Sequence, residues 1–267
     1  MKKFMALLLV AGMTLSLTAC GGSTDTAKKD QADGKDTFTV GFDQDFPPFG
    51  YVGDDGEFTG FDIEMATECA ARMGKKIVLQ PIDWDAKDME LEAGTIDCIW
   101  NGFTMNGRED QYTWTDPYMD NSQVVVVKKD SGINTLADLA GKVVEVQKES
   151  AAETALNDEE HADLTASFAQ LLSVGEYNTA FMDLESGAVD AVAIDIGVAQ
   201  FQIEGKEDQY QILDETISSE QYAVGFFLGN TALRDEVQST LSEMVEDGTF
   251  AEISNKYFGY DVCTLGK

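Results

Sequence analysis

Basic residues are scarce in this chain. Its 267 residues carry 18 Lys plus Arg against 49 Asp plus Glu, a formal net charge of -31. Only three of the basic residues are arginines: Arg72, Arg108 and Arg234. So negative a surface repels phosphate backbones, which argues against nucleic acid as a partner. It also repels anionic headgroups, so any membrane attachment has to be covalent or hydrophobic. Histidine is scarcer still: His161 sits alone in the acidic run Asn157-Asp158-Glu159-Glu160-His161. No Ser/His/Asp pattern, HExxH or phosphate-binding glycine loop occurs. Without a nucleophile–base pair the chain is expected not to be an enzyme, and no cofactor is implied. The four cysteines, Cys20, Cys69, Cys98 and Cys263, match no zinc spacing, so no metal site is expected. Beyond the first twenty residues no apolar run approaches the length that spans a bilayer.

What the N-terminus does have is a leader. Lys2 and Lys3 precede an apolar stretch over residues 4–17, and Leu17-Thr18-Ala19-Cys20 closes it. This resembles a bacterial lipoprotein signal, which implies cleavage of residues 1–19 and a lipid, palmitate included, on Cys20. With Cys20 modified, three cysteines remain, an odd number that cannot form a complete disulfide framework. Cys69 and Cys98 fall in apolar stretches and read as small buried hydrophobes. Residues 20–37 are rich in Gly, Ser, Thr, Asp and Lys and read as a flexible tether.

Beyond the tether, strand and helix patterns alternate, which favours an α/β class. Residues 38–42 read as a strand, and Phe46-Pro47-Pro48-Phe49 as an extended loop. Phe61, Met65, Cys69 and Met73 recur at helical spacing up to Gly74, and residues 76–81 return to strand. A faint repeat follows. Trp84 precedes Leu91-Glu92-Ala93-Gly94-Thr95-Ile96-Asp97, and 93 residues later Tyr177 precedes Leu184-Glu185-Ser186-Gly187-Ala188-Val189-Asp190. Each copy reads as a helix closed by glycine and then a strand, which suggests two lobes of similar design. The runs 123–129 and 222–227 suit hinge strands.

Several blocks, in order, carry a wider resemblance: Asp43 to Phe49, Gly60-Phe61-Asp62-Ile63, Asp83-Trp84-Asp85, Gly94 to Asp97, Arg108, Thr115-Asp116-Pro117-Tyr118, Asp138 to Lys142, Asp190 to Asp195, and Asp247-Gly248-Thr249 through Lys256-Tyr257-Phe258-Gly259. Together they resemble the polar amino-acid-binding proteins of ABC importers, with the type II periplasmic-binding-protein fold. The resemblance implies two lobes on a two-stranded hinge, which we place at 38–127 plus 223–267 and at 128–222. It implies a monomer held by its lipid on the extracytoplasmic face of the cell membrane. Such a protein captures a polar amino acid and delivers it to a permease driven by an ATPase.

A free amino acid presents a carboxylate and an ammonium on one carbon, so its site needs a cation and an anion a few ångströms apart. Arg108 matches the arginine that grips the carboxylate through two parallel bonds. The loop Thr104-Met105-Asn106-Gly107-Arg108 is one residue shorter than the family pattern. Asp195, at a strand C-terminus, matches the acceptor of the ammonium, and could alternatively cap the helix that follows. Ser150-Ala151-Ala152-Glu153 reads as a capping box whose turn adds backbone donors for the carboxylate; Glu149 should point away. Asn101, Gly102 and Thr104 match polar contacts, Phe46 and Trp84 aromatic walls, and Asp43 a reader of the ligand's side-chain end. With Asp43, Glu149, Asp195 and Glu220 outnumbering Arg108, a neutral or cationic ligand is favoured over an acidic one. Cystine is an alternative, as are a ligand-sensing receptor and a dehydratase-like enzyme on the same fold.

Overall fold

The computed structural model describes residues 36–267. The leader, most of the tether and Cys20 therefore lie outside the described residues. Two sheets organise the rest. The first has the strand order Lys76–Pro81, Thr37–Phe42, Cys98–Ile99, Gly225–Phe226, Thr113–Trp114. Its first three strands run parallel, and Gly225–Phe226 is antiparallel to both of its neighbours. The expected strand at 38 begins one residue earlier, at Thr37, which the tether was expected to include. The second sheet runs Gln170–Val174, Val143–Gln147, Ala191–Asp195, Met119–Lys128, Tyr210–Ile212, and Ser218–Tyr222 also pairs with the long fourth strand. Asp45–Phe46, Gly50–Val52 and Phe58–Thr59 form a small hairpin sheet, and the loop expected at Phe46-Pro47-Pro48-Phe49 is the tight turn between its first two strands rather than an extended one.

The helices cover these sheets for reasons visible in their sequences. Phe61–Arg72 buries Phe61, Met65, Cys69 and Ala70 along one stripe, with solvent on the other face. Phe61 meets Phe250 and Phe258 of the C-terminal helix Thr249–Phe258 edge-on, at 5.8 and 5.2 Å. The repeat is present in three dimensions. Lys87–Ala93 and Tyr177–Ser186 both end on a left-handed glycine, Gly94 and Gly187, before a strand of their own sheet. Cys69, Cys98 and Cys263 are buried and unbonded to one another.

The chain passes between the sheets twice, through residues 115–118 and 223–224. These segments are tied together: Thr115 N–H donates to the Val224 carbonyl at 3.1 Å, Val224 N–H to Thr115 Oγ1 at 3.0 Å, and Tyr118 N–H to the Tyr222 carbonyl at 2.9 Å. The C-terminal segment returns to the same place, where Thr264 N–H donates to the Tyr118 carbonyl at 3.0 Å and Cys263 bridges to Met119. The strand Met119–Lys128 pairs wholly within the second sheet, against Ala191–Asp195 and Ser218–Tyr222. By pairing, we therefore propose that the first lobe boundary lies near residues 115–118, ahead of the expected break after 127. The expected hinge runs 123–129 and 222–227 shift accordingly. Apolar β-branched residues make a good central strand as readily as a hinge strand, and periodicity does not separate the two.

Candidate functional site

Strand ends of both sheets meet at one cleft, and loops following them carry the polar groups. A cavity there is lined by Asp43, Phe46, Trp84, Asn101, Gly102, Thr104, Arg108, Gln147, Ser150, Ala151 and Asp195. The ten residues singled out in the sequence thus come together, and Gln147 joins them.

The first lobe supplies one wall. Asn101 Oδ1 accepts from Asp43 N–H at 2.5 Å, while its Nδ2 is buried and has no acceptor among the described residues. Gly102 has φ +55° and a Cβ there would come to 3.0 Å from the Phe46 ring, so a larger residue would be strained. Its N–H donates to Asp62 Oδ2 at 2.6 Å, and Tyr118 donates its hydroxyl to the same carboxylate. Burial pushes Asp62 up to about 7. Asp62 thus holds the 101–104 turn from behind. Trp84 packs edge-on against Phe103 at 5.5 Å.

The short loop resolves into a turn. Arg108 N–H donates to the Met105 carbonyl at 2.9 Å, with Gly107 at φ +78°. The guanidinium lies over Phe103 at 5.5 Å and donates to two carbonyls, Thr104 and Glu149, each at 3.2 Å. Among the described residues it forms no ion pair, with Glu109, Asp110 or any other carboxylate. Its fork is therefore half-committed, to carbonyls of both lobes.

The second lobe supplies the opposite wall. Ser150 caps Ala151–Leu156, accepting from Glu153 N–H at 3.1 Å. The box is displaced by one residue: Glu153 Oε2 accepts from Glu149 N–H at 2.7 Å rather than from Ser150. Glu149 adopts φ +60°, strained for a side-chain-bearing residue, and this aims its carbonyl at Arg108. Its carboxylate approaches Lys87 Nζ at 3.8 Å. Asp195 is buried, makes no capping bond to its own helix, and accepts through Oδ1 from Asn121 Nδ2 at 2.8 Å, Gln123 Nε2 at 2.7 Å and the Tyr222 hydroxyl at 2.5 Å. Burial first, and then the charge of Glu220, raise its carboxyl well above the usual range.

Contacts across the cleft show that the lobes are closed on one another. Gln147 Nε2 donates to Asp43 Oδ2 at 2.6 Å, Lys148 pairs with Asp85 at 2.7 Å, and Asn178 Nδ2 donates to Asp45 Oδ1 at 2.7 Å. Burial pushes Asp43 up to about 6, against the bonds from Asp45 N–H and Gln147 that lower it. Sequence reasoning missed Gln147, Asn121 and Gln123. Their signal was a polar residue at the buried end of an otherwise apolar strand.

A family model of bacterial extracellular solute-binding proteins, family 3, matches residues 38–260. The L-cystine-binding protein TcyJ of Escherichia coli (strain K12) is 31% identical over 261 residues, 97% of this chain and 94% of that one. The arginine-binding extracellular protein ArtP of Bacillus subtilis (strain 168) is 29% identical, over 97% of this chain and 98% of its own. Among solved structures, an ABC uptake transporter substrate-binding protein from Streptococcus pneumoniae with bound histidine superposes with a TM-score of 0.82 at 35% identity, covering 86% of this chain and 95% of that one.

Proposed function

The chain belongs to the bacterial extracellular solute-binding proteins, family 3, and from that membership we propose that its cleft captures a free polar amino acid for an ABC importer without transforming it. The observation that carries this reading is the pair of poles in one cavity. The Arg108 guanidinium has no carboxylate partner among the described residues, and Asp195 lines the same cavity from the other lobe. Arg108 takes the carboxylate, assisted at the turn Ser150-Ala151 where a helix start leaves N–H groups without intrahelical acceptors. Asp195 takes the ammonium. Asn101 Nδ2 offers a spare donor, Phe46 and Trp84 bound the aliphatic part, and Asp43 with Gln147 reads the far end.

Carboxylates outnumber cations around the cavity, which favours a neutral or cationic amino acid. L-cystine is the second reading, favoured by the similarity to TcyJ. A thermal-shift screen of the twenty amino acids and L-cystine tests both. A true ligand at 100 times its Kd should stabilise the protein by about 2.7 kcal/mol. If none raises the melting temperature, the reading is wrong.

Closure is the means of capture. Arg108 and Asp195 belong to different lobes, so only the closed form lets one zwitterion touch both, and ligand shifts the population toward it by its differential affinity. Small-angle scattering should show the radius of gyration falling on saturation with whichever amino acid passes the screen. An unchanged profile would assign binding to one lobe, or to a cleft closed beforehand.

No helix among the described residues is long and apolar enough to cross a membrane. We place the attachment at Cys20, on the strength of Leu17-Thr18-Ala19-Cys20. The lipid would hold a monomer at the extracytoplasmic face, within reach of its permease and that permease's ATPase. Cys20→Ser should move the protein from the membrane fraction to the soluble one; membrane association as strong as before would put the anchor elsewhere.

A further inference from the structure

Asp195 has a second carboxylate beside it. The strand Met119–Lys128 lies between Ala191–Asp195 and Ser218–Tyr222, with Gln123 opposite Asp195 and Asn121 opposite Glu220. Asn121 Nδ2 donates to Asp195 Oδ1 at 2.8 Å and to Glu220 Oε1 at 2.6 Å. Gln123 Nε2 donates to the same two oxygens, at 2.7 Å each. Two amides on the central strand thus draw one oxygen from each neighbouring acid together. The remaining donors are also neutral: the Tyr222 hydroxyl on Asp195 and Thr104 Oγ1 on Glu220 at 2.8 Å. Both acids are buried, as are Asn121 and Gln123, whose own oxygens Oδ1 and Oε1 have no donor among the described residues. The cluster is rich in acceptors and short of positive charge. Other ionisable groups facing it are the hydroxyls of Tyr177 and, through Tyr222, Tyr118. Asp43 and Arg108 stand farther round the cavity wall.

Two carboxylates so placed resist carrying two charges, so a proton or a cation has to compensate them. We propose that Glu220 is a further recognition residue of the ammonium end, one that acts through Asp195 and makes capture of a ligand ammonium an exchange for a proton. The inference rests on the reading of Asp195 as the ammonium acceptor. The balance is simple: the proton held on Asp195 passes to water, the ligand ammonium takes its place, and no covalent bond changes elsewhere. Asp195, Glu220, Asn121 and Gln123 all belong to the second sheet, so the pair exists whether the cleft is open or closed. Thr104 reaches it from a segment that bridges by backbone to Tyr222, with Met105 N–H donating to the Gln221 carbonyl at 3.0 Å.

The sign follows from linkage. Asp195 holds its proton more firmly in the empty cleft than beside an ammonium. Affinity is therefore full above the empty-cleft value and declines as pH falls through it, by at most about tenfold per pH unit for one proton. Glu220→Gln removes the neighbouring charge at nearly constant shape, so the decline should move to lower pH. Asp43 also titrates on the cavity wall, but it is common to both proteins, and the difference between their profiles isolates Glu220.

Calorimetric titration with L-cystine, L-arginine, L-histidine and L-glutamine, from about pH 5 to pH 8 in two buffers of unlike ionisation enthalpy, reads both affinity and proton release. The natural protein should release protons on binding near neutrality and lose affinity toward pH 5. Glu220→Gln should release fewer protons on binding and keep a flatter profile. Equal release and parallel profiles would overturn the role of Glu220 and leave Asp195 standing. Binding of none of the four, with none of the twenty amino acids or L-cystine raising the melting temperature, would overturn this inference and the proposed function together. Should Glu220→Gln fail to fold, Glu220→Asp, which keeps the charge but draws it back, should give an intermediate profile; a profile identical to the natural one would count against the proposal.

Discussion

Arg108→Ala is expected to weaken amino-acid binding by about 2–5 kcal/mol, the usual effect of removing one partner from a buried charge pair. The size comes from geometry. The guanidinium spends only two donors on the Thr104 and Glu149 carbonyls, and among the described residues no carboxylate competes for the rest. A ligand carboxylate would complete the fork and be left without a cation once it is gone, because Lys87 is turned toward Glu149 and the Trp84 ring. Arg108→Lys should fall between, since a point charge cannot make the parallel pair of bonds. The unliganded protein should melt nearly as before, because the side chain is partly exposed and its two present bonds are long. Calorimetry showing less than about a threefold loss, under 1 kcal/mol, would remove Arg108 from the site.

Asp195→Asn should show the opposite pattern in stability and a comparable loss in binding, again about 2–5 kcal/mol. The amide keeps the shape and can still accept from Asn121, Gln123 and Tyr222, but it cannot balance an ammonium. Asp195 in the fold has its carboxyl raised above its unfolded value, by burial and then by Glu220. An acid shifted in that direction lowers folding stability as pH rises from its unfolded value through its folded one. The neutral amide of Asp195→Asn carries no such penalty, so the empty variant should melt above the natural protein at pH 8 and lose that advantage in acid. A variant that loses binding and stability together at pH 8 would mark Asp195 as a structural residue.

The two-lobe α/β architecture was legible in the sequence, and the residues singled out for the candidate site line one cavity. Asp43, Asn101, Arg108, Ser150 and Asp195 sit at or beyond strand ends, where motif order alone suggests them, and the cavity contains all five. Gln147 was missed because Val143–Gln147 lies between the blocks Asp138 to Lys142 and Ser150 to Glu153 that carried the sequence reading. Its alternation, with Val144 and Val146 on one face and Glu145 and Gln147 on the other, was the available clue. Asn121, Gln123 and Glu220 are brought together by pairing between residues about a hundred positions apart, and no local pattern encodes such register. The same non-local pairing moved the proposed lobe boundary away from 127. Asp62 was noticed as part of a motif, yet its service to Gly102 depends on a turn 40 residues away.

On the proposed lobe boundary, the return of the C-terminal segment to residues 117–119 would make that region the fulcrum of the molecule. Points beside a fulcrum travel least, so a fluorophore or a fused reporter near Thr264 would register little of the clamp's swing. Met89 and Met182 are the reverse. They occupy corresponding places in the two copies of the repeat, stand 67% and 61% exposed, and ride on opposite arms of the lever. Because Cys69, Cys98 and Cys263 are all buried, cysteines placed at those two methionines in a Cys20→Ser background would take thiol-directed dyes selectively. The fold itself thus marks where a dye pair would turn this protein into an optical gauge of its own cargo.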